Sequence, residues 1–213
     1  MNRRTAIIAS AVVAIAVFAG GALLYTPSRD TPLAIQTSGS PPLIRPHAPV
    51  LGPVDAPVTI VEFFDPACES CRAFHPIVKG IMAAHPGKVR VVLRYAAFHP
   101  TSEEGIRILE AARQQNRFEP ALERLLETQA HWAPHGRTPI SAWTLLDGTG
   151  LDVEQARKDA KRSGIDDVLK QDAEDIRTVG VRGTPTFFVN GKPLREFGPR
   201  QLYDLVTAEV QGR

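Results

Sequence analysis

The strongest constraint in this chain is a pair of cysteines at the point where a strand gives way to a helix. Residues 58–64 are rich in β-branched and aromatic side chains and are apolar on both alternating faces, which predicts a central strand covered on both sides. Cys68 and Cys71 follow a short turn, and residues 72–84 have the apolar spacing of a helix. The pair therefore lies at the amino end of a helix that follows a buried strand.

The position of Cys68 favours its thiolate form. Free amides and the dipole at the amino end of a helix stabilise negative charge, which lowers the pKa of a thiol there. The short spacing lets Cys71 reach Cys68, so the pair can close a disulfide or resolve a mixed disulfide. We expect Cys68 to be the exposed, attacking sulfur and Cys71 the more buried, resolving one. The spacing leaves open two alternatives, half of a zinc site and a static structural disulfide.

Glu62 is the second unusual residue, because a carboxylate in an apolar central strand is costly unless it is partnered or protonated. It stands near the carboxyl end of the predicted strand, a short distance before the cysteines. We expect it to lie beneath the pair, directly or through water, and to accept or return the Cys71 proton during exchange. The alternative is a position at a sheet edge, where Glu62 faces solvent and only aids solubility.

A long helical block is predicted between the cysteine region and the end of the chain. Residues 101–179 contain no good strand, and Thr101 and Glu104 have the spacing of a capping box. Further helices are expected to begin near Pro139 and Asp152.

Extended segments flank this block. Residues 88–95 predict a second strand, which forms a strand–helix–strand unit with the first and hence a parallel pair. Asn190 and Gly191, between two extended runs, predict a hairpin turn. Residues 199–210 predict an amphipathic final helix.

The amino terminus indicates export. The run from Thr5 to Tyr25 carries no charge and, at about 1.5 Å per residue, is long enough to cross a bilayer core of about 30 Å. Arg3 and Arg4 precede it, and positive charge on the amino side predicts that the rest of the chain lies outside the cytoplasm. We expect an uncleaved single-pass anchor within residues 1–25, with a cleaved signal peptide as the alternative.

Length and composition leave room for one folded domain. The chain has 213 residues, of which 43% are hydrophobic and 23% charged, as in ordinary globular proteins. Residues 26–49 are rich in proline, serine and threonine, which predicts an extended linker, and residues 50–213 form the domain. Apart from Arg3 and Arg4, basic and acidic residues balance, so nucleic acid is a poor candidate partner.

The region around the cysteines belongs to a wider pattern. It comprises residues 55–71 with the strand and the pair, Pro76 in the following helix, and residues 183–191, which read Gly-Thr-Pro-Thr-Phe-Phe-Val-Asn-Gly. Together these stretches resemble the DsbA-like thiol–disulfide oxidoreductases of the thioredoxin superfamily, over about residues 48–213. The resemblance implies a thioredoxin-like α/β fold with a central mixed sheet and a helical block inserted at about 101–179.

The resemblance also implies roles for single residues. Pro185 is then a cis-proline that faces the cysteine pair, Thr184 precedes it, and this backbone binds a substrate chain in extended form. Glu62 falls on the position of the family's buried acid. No cofactor and no metal are expected. Many oxidising members carry Pro-His between the cysteines, where this chain has Glu69 and Ser70, so we expect a weaker oxidant than the strongest members.

These expectations combine into a hypothesis of function. The chain is an exported, membrane-tethered oxidoreductase on the periplasmic face that exchanges its Cys68–Cys71 disulfide with dithiols of exported proteins. A membrane redox partner reoxidises it, and a monomer is the default state. The alternatives are a disulfide reductase or isomerase, for example in cytochrome maturation, a copper(I)-handling thiol protein, and a non-catalytic binding module.

Overall fold

The computed structural model describes residues 42–212, so the anchor or signal peptide predicted over residues 1–25 and most of the linker lie outside the described part. Among residues 42–212, no helix combines the length and apolar character needed to span a bilayer.

A mixed five-stranded sheet forms the centre of the described region, with strand order β1-β3-β2-β4-β5. Its strands are β1 (Val50–Leu51), β2 (Val58–Phe64), β3 (Val89–Tyr95), β4 (Thr186–Val189) and β5 (Lys192–Pro193). β2 lies between β3, to which it is parallel, and β4, to which it is antiparallel. The predicted parallel pair is therefore confirmed, and the strand before the cysteines occupies the middle of the sheet.

Helices follow and interrupt the strands of this sheet in the predicted order. They are α1 (Glu69–Ala84), α2 (Ser102–Gln114), α3 (Phe118–Glu127), α4 (Gln129–Trp132), α5 (Val153–Asp159), α6 (Ser163–Val179) and α7 (Pro199–Gln211), with a 3₁₀ turn at Ala142–Thr144. The elements from α2 to α6 form the helical block between β3 and β4. The α/β fold with an inserted helical block is thus confirmed.

One detail of the helical block differs from the expectation and one agrees with it. The helix expected near Pro139 is only the 3₁₀ turn, because Gly136, Gly148 and Gly150 adopt positive φ angles that a helix does not allow. Asp152 does cap α5, since its side chain accepts a hydrogen bond from the amide of Gln155.

The prediction of a capping box at the start of α2 is also wrong. Thr101 makes no side-chain cap hydrogen bond. Glu104 instead accepts hydrogen bonds from the hydroxyl of Ser141 and the amide of Ala142. A tertiary contact within the block has taken the carboxylate that the local pattern assigned to the helix end.

Alternate residues of β2 are buried in two different apolar clusters. Ile60 and Phe64 belong to the cluster that contains both cysteines and the packed faces of α1 and α7, whereas Val61 and Phe63 pack on the opposite face of the sheet. Because side chains alternate along a strand, Glu62 shares the face of Ile60 and Phe64. The central strand is covered on both sides, as predicted, and Glu62 is directed to the side of the cysteines.

The folded region begins upstream of the predicted boundary at residue 50. Arg94, which is fully buried, donates hydrogen bonds to the carbonyls of Pro42 and Leu43 at 2.8 and 2.9 Å. The same guanidinium pairs with Asp172 at 2.7 Å and Asp175 at 2.5 Å on α6. Residues 42–49, assigned to the linker from their composition, are therefore fixed to the sheet and to α6 by a buried ionic cluster.

Candidate active site

Cys68 and Cys71 occupy the start of α1. Cys68 is the N-cap residue, with an extended backbone at φ −82° and ψ 123°, and Cys71 lies in the first turn. Both thiols are free. Cys68 is only 6% exposed and Cys71 is fully buried, so the predicted order of exposure holds but Cys68 is far more covered than expected. The backbone of Thr184, which comes within 3.3 Å of Cys68 Sγ from 116 positions away, is a covering contact that the sequence does not reveal.

The environment shifts the pKa values of the two thiols in opposite directions. The pKa of Cys68 is lowered to about 5. The hydrogen bond with Cys71 is the largest cause, burial opposes it, and hydrogen bonds from Thr184 and from the backbone amides of Cys71 and Ser70 act in the same direction as Cys71. Burial raises the pKa of Cys71 well above its usual range, and its bond to Cys68 and the charge of Glu62 act in the same direction. At neutral pH Cys68 is thus a thiolate and Cys71 a thiol.

Glu62 lies in the interior of the sheet and not at its edge. It pairs in register with Leu93 on β3 and with Phe187 on β4, and it is 3% exposed. Its Oε1 atom has no hydrogen-bond partner among residues 42–212. Burial raises the pKa of Glu62 to about 8, and the charge of Cys68 adds to the effect. The alternative of a solvated edge carboxylate is therefore wrong.

Thr184 and Pro185 stand opposite the cysteines. The peptide bond between them is cis. The carbonyl oxygen of Thr184 lies 3.3 Å from Cys68 Sγ. Because the next residue begins β4, which pairs with β2, the sheet brings this dipeptide to the end of α1 from a distant part of the chain.

Glu69 faces away from the thiolate. Its side chain is 59% exposed, and Oε1 lies 3.7 Å from Nε2 of His135. The negative charge between the cysteines is therefore directed to solvent and towards His135, and Glu69 is not among the groups that shift the pKa of Cys68.

Asp65 is a site residue that the sequence suggested only as part of a turn. Its carboxylate is fully buried and accepts hydrogen bonds from the amides of Ala67 and Phe98, both at 2.9 Å, and from Nδ1 of His99 at 2.7 Å. Its own amide donates to Cys71 Sγ at 3.4 Å. The one sequence signal was an acidic residue next to an apolar strand, which does not identify a partner.

Gln129 on α4 is a second residue that sequence reasoning missed. Its side-chain amide donates to the carbonyls of Pro66 and Cys68 at 2.8 and 3.0 Å. A Cβ atom at Gly105 would lie 2.9 Å from Pro66 and 3.0 Å from Trp132, so α2 and α4 close tightly on the turn before α1. No sequence signal singles out Gln129, and its contacts show that the helical block supports the cysteine turn.

The histidines do not form a metal site in the described region. Within residues 42–212 no group of three or more His, Cys, Asp or Glu side chains is placed to hold a metal ion.

Comparisons with known proteins agree with this fold. Residues 45–206 match a family model described as Thioredoxin. The chain is 27% identical to a thioredoxin-like oxidoreductase from Silicibacter pomeroyi, with a TM-score of 0.66 over 79% of this chain and 95% of that one. It is 25% identical to BdbD from Bacillus subtilis, with a TM-score of 0.68 over 78% of this chain and 94% of that one. The α-DsbA1 protein of Wolbachia pipientis, at 14% identity and a TM-score of 0.69, shares the fold over 80% of this chain and 94% of its own.

Curated relatives match this chain over only part of their own length. The Na+/H+ antiporter NhaA 1 of Mycolicibacterium gilvum is 31% identical over 182 residues, which are 80% of this chain and 28% of the antiporter. NhaA 3 of Salinispora tropica is 32% identical over 164 residues, 75% of this chain and 24% of that protein. The chain thus spans about a quarter of the length of these relatives.

Proposed function

The chain belongs to the thioredoxin family, and on that premise we propose that it exchanges the Cys68–Cys71 disulfide with dithiols of exported proteins. The observation that carries the proposal is the unequal placement of the two sulfurs. Cys68 stands at the amino end of α1 opposite Thr184, whereas Cys71 is enclosed beside Glu62. A pair with one stabilised thiolate and one buried thiol is suited to thiol–disulfide exchange.

The oxidising direction takes two exchange steps. A substrate thiolate attacks Cys68 Sγ, the Cys68–Cys71 bond breaks, and Cys71 leaves as a thiolate that takes a proton from Glu62. A second substrate thiolate then attacks the substrate sulfur of the mixed disulfide, and Cys68 leaves. The substrate loses two electrons and gains a disulfide, and the pair gains the two electrons. The low pKa of Cys68 makes it a good leaving group in the second step.

The catalytic set consists of Cys68, Cys71, Glu62, Thr184 and Pro185. Cys68 and Cys71 carry the bond changes, and Glu62 exchanges the Cys71 proton. Thr184 and Pro185 receive the substrate chain, because their backbone faces Cys68 and lies next to the end of β4.

Export and tethering follow from the amino-terminal sequence. In this proposal the charge-free run from Thr5 to Tyr25 anchors the chain in the membrane, and the proline-rich linker predicted from residue 26 onwards joins it to the domain on the periplasmic side. There the protein acts as a monomer on exported substrates, and a membrane redox partner reoxidises it.

The function is tested with the full chain and a reduced peptide that carries two cysteines. Oxidised protein is expected to convert the peptide to its disulfide while its own pair is reduced, because Cys68 accepts the attack. Cys68→Ser abolishes the reaction. When reduced Cys71→Ser is instead mixed with the disulfide form of the peptide, Cys68 attacks it and forms a mixed disulfide that mass spectrometry detects, because no Cys71 thiol is present to displace the peptide. If Cys68→Ser oxidises the peptide as well as the unaltered chain does, the proposal is wrong.

The reduction potential decides the direction of electron flow. The pKa of Cys68, about 5, lies between about 7 in thioredoxin and about 3.5 in DsbA. We therefore expect a potential between about −270 mV and about −120 mV, a weaker oxidant than DsbA. The measurement is equilibration of the full chain in glutathione buffers. A value at or below about −270 mV contradicts the disulfide-donor assignment and favours the reductase alternative.

A further inference from the structure

The backbone of Asp65 is hydrogen-bonded to both cysteines. Its carbonyl accepts from the amide of Cys68 at 3.0 Å, and its amide donates to Cys71 Sγ at 3.4 Å. The latter bond is the contact with Asp65 that lowers the pKa of Cys71, against the larger effect of burial. The orientation of the peptide group between Phe64 and Asp65, which carries this amide, thus bears directly on the buried sulfur.

The loop after β3 holds the side chain of Asp65. Oδ2 accepts from the amide of Phe98 at 2.9 Å and contacts Nδ1 of His99 at 2.7 Å. The carboxylate is fully buried, whereas the His99 side chain is 34% exposed. His99 is therefore the solvent-side member of a chain of contacts that ends at Cys71.

The backbone of His99 is itself fixed. Its amide donates to Oγ of Ser102 at 2.9 Å, and the amide of Ser102 donates to the carbonyl of His99 at 3.1 Å. This reciprocal pair sets the start of α2. The imidazole is thereby presented to Asp65 by a rigid helix end.

We propose that His99 is a positioning residue for Cys71: by holding the carboxylate of Asp65, it keeps the Asp65 amide directed at Cys71 Sγ in the step where Cys71 reacts. The inference rests on the proposed thiol–disulfide exchange and adds to it a residue that touches neither substrate nor sulfur. His99 acts on the Cys71 step and leaves the reaction of Cys68 unchanged.

The step on which His99 acts is the closure of the Cys68–Cys71 disulfide. Reduced Cys68 attacks glutathione disulfide, which forms a Cys68–glutathione mixed disulfide and releases one glutathione thiolate. Cys71 then loses its proton to Glu62 or water and attacks Cys68 Sγ. The Cys68–Cys71 bond forms, and the second glutathione leaves. The protein loses two electrons, and glutathione disulfide gains them.

The size of the effect follows from the amide–sulfur bond. A hydrogen bond to a charged group lowers its pKa by about one to two, so its loss reduces the thiolate population about ten- to hundredfold. The remaining thiolate is more nucleophilic, which offsets about half of this loss on a logarithmic scale. Removal of the His99 contact is therefore expected to slow closure about three- to tenfold.

The experiment compares His99→Ala with His99→Asn in the reduced full chain. Nδ2 of asparagine branches from Cγ as Nδ1 of histidine does, so His99→Asn retains a donor where His99→Ala has none. Phe98→Ala is the matched control, because Phe98 contacts Asp65 through its amide and its side chain is exposed. Acid quenching and mass spectrometry at increasing glutathione disulfide separate mixed-disulfide formation, which scales with concentration, from closure, which does not.

We expect His99→Ala to slow closure alone, while His99→Asn and Phe98→Ala close at the rate of the unaltered chain. Equal closure in His99→Ala and the unaltered chain overturns the inference and leaves the proposed function standing. An equal slowing in Phe98→Ala also overturns it, because general loosening of the loop then explains the effect. If the unaltered chain does not react with glutathione disulfide, the proposed function and the inference both fail.

Discussion

Replacement of Glu62 by leucine is expected to make the reduced protein more stable at neutral pH. Glu62 lies between Leu93 and Phe187, in surroundings that accept an apolar side chain. Its pKa rises from an ordinary 4.5 to about 8 in the folded protein. Between these two values the folded state keeps a proton that the unfolded state releases, so folding stability falls as pH rises. The leucine variant has no such dependence at this position.

The magnitude follows from the two pKa values. Each pH unit between them costs the unaltered chain about 1.4 kcal/mol, because one proton separates the folded and unfolded states. At pH 7 the accumulated cost is about 3 kcal/mol, and above pH 8 it levels off near about 5 kcal/mol. Below pH 4.5 the carboxyl is protonated in both states, and the two proteins differ only by packing.

The assay is urea unfolding of the full chain in reducing buffer at a series of pH values. The difference in unfolding free energy between Glu62→Leu and the unaltered chain is expected to increase from pH 4.5 to about 8 and then to stay constant. Glu62→Gln is the control for side-chain size, since it also lacks the titration. A difference that does not change with pH refutes the reasoning, because Glu62 then has no raised pKa in the folded protein.

Two other substitutions test the supports of the site. Gln129→Leu removes the donor to the carbonyls of Pro66 and Cys68, and calorimetry is expected to show a loss of about 1–3 kcal/mol; an unchanged melting temperature contradicts this. Arg94→Met removes the fully buried cation that pairs with Asp172 and Asp175 on α6 and is expected to cost about 3–5 kcal/mol in urea unfolding. Arg45→Met, which removes a half-exposed partner of the same cluster, is the control, and an equal cost in both variants counts against the burial argument.

Local signals in the sequence predicted the elements that carry the cysteines. The apolar run of β2 and the helical spacing of α1 are each properties of a short segment, and the structure forms both as expected. The hairpin after β4 is equally local, since Asn190 and Gly191 adopt the positive φ angles that a two-residue turn needs. For elements formed by one short segment, the local sequence pattern was sufficient to predict the secondary structure.

The expectations that depended on unseen neighbours were less reliable. The carboxylate of Glu104 is bound to Ser141 and not to the helix end. Cys68 is covered although its position in sequence indicated exposure. Whether Glu69 faces the thiolate was open in the sequence, and its outward direction is set by α1 and by His135.

The sequence by itself determined the two sulfurs, their spacing and their place at a helix end, because these depend on residues within a few positions of each other. Only the tertiary structure decided what surrounds them. Thr184 reaches Cys68 across 116 positions and Gln129 across 61, because the pairing of β4 with β2 and the packing of the helical block bring them there. His99 meets Asp65 because parallel strands end at the same edge of the sheet. The reactive pair is a local feature of the chain, and the environment that gives its two thiols different pKa values is a property of the fold.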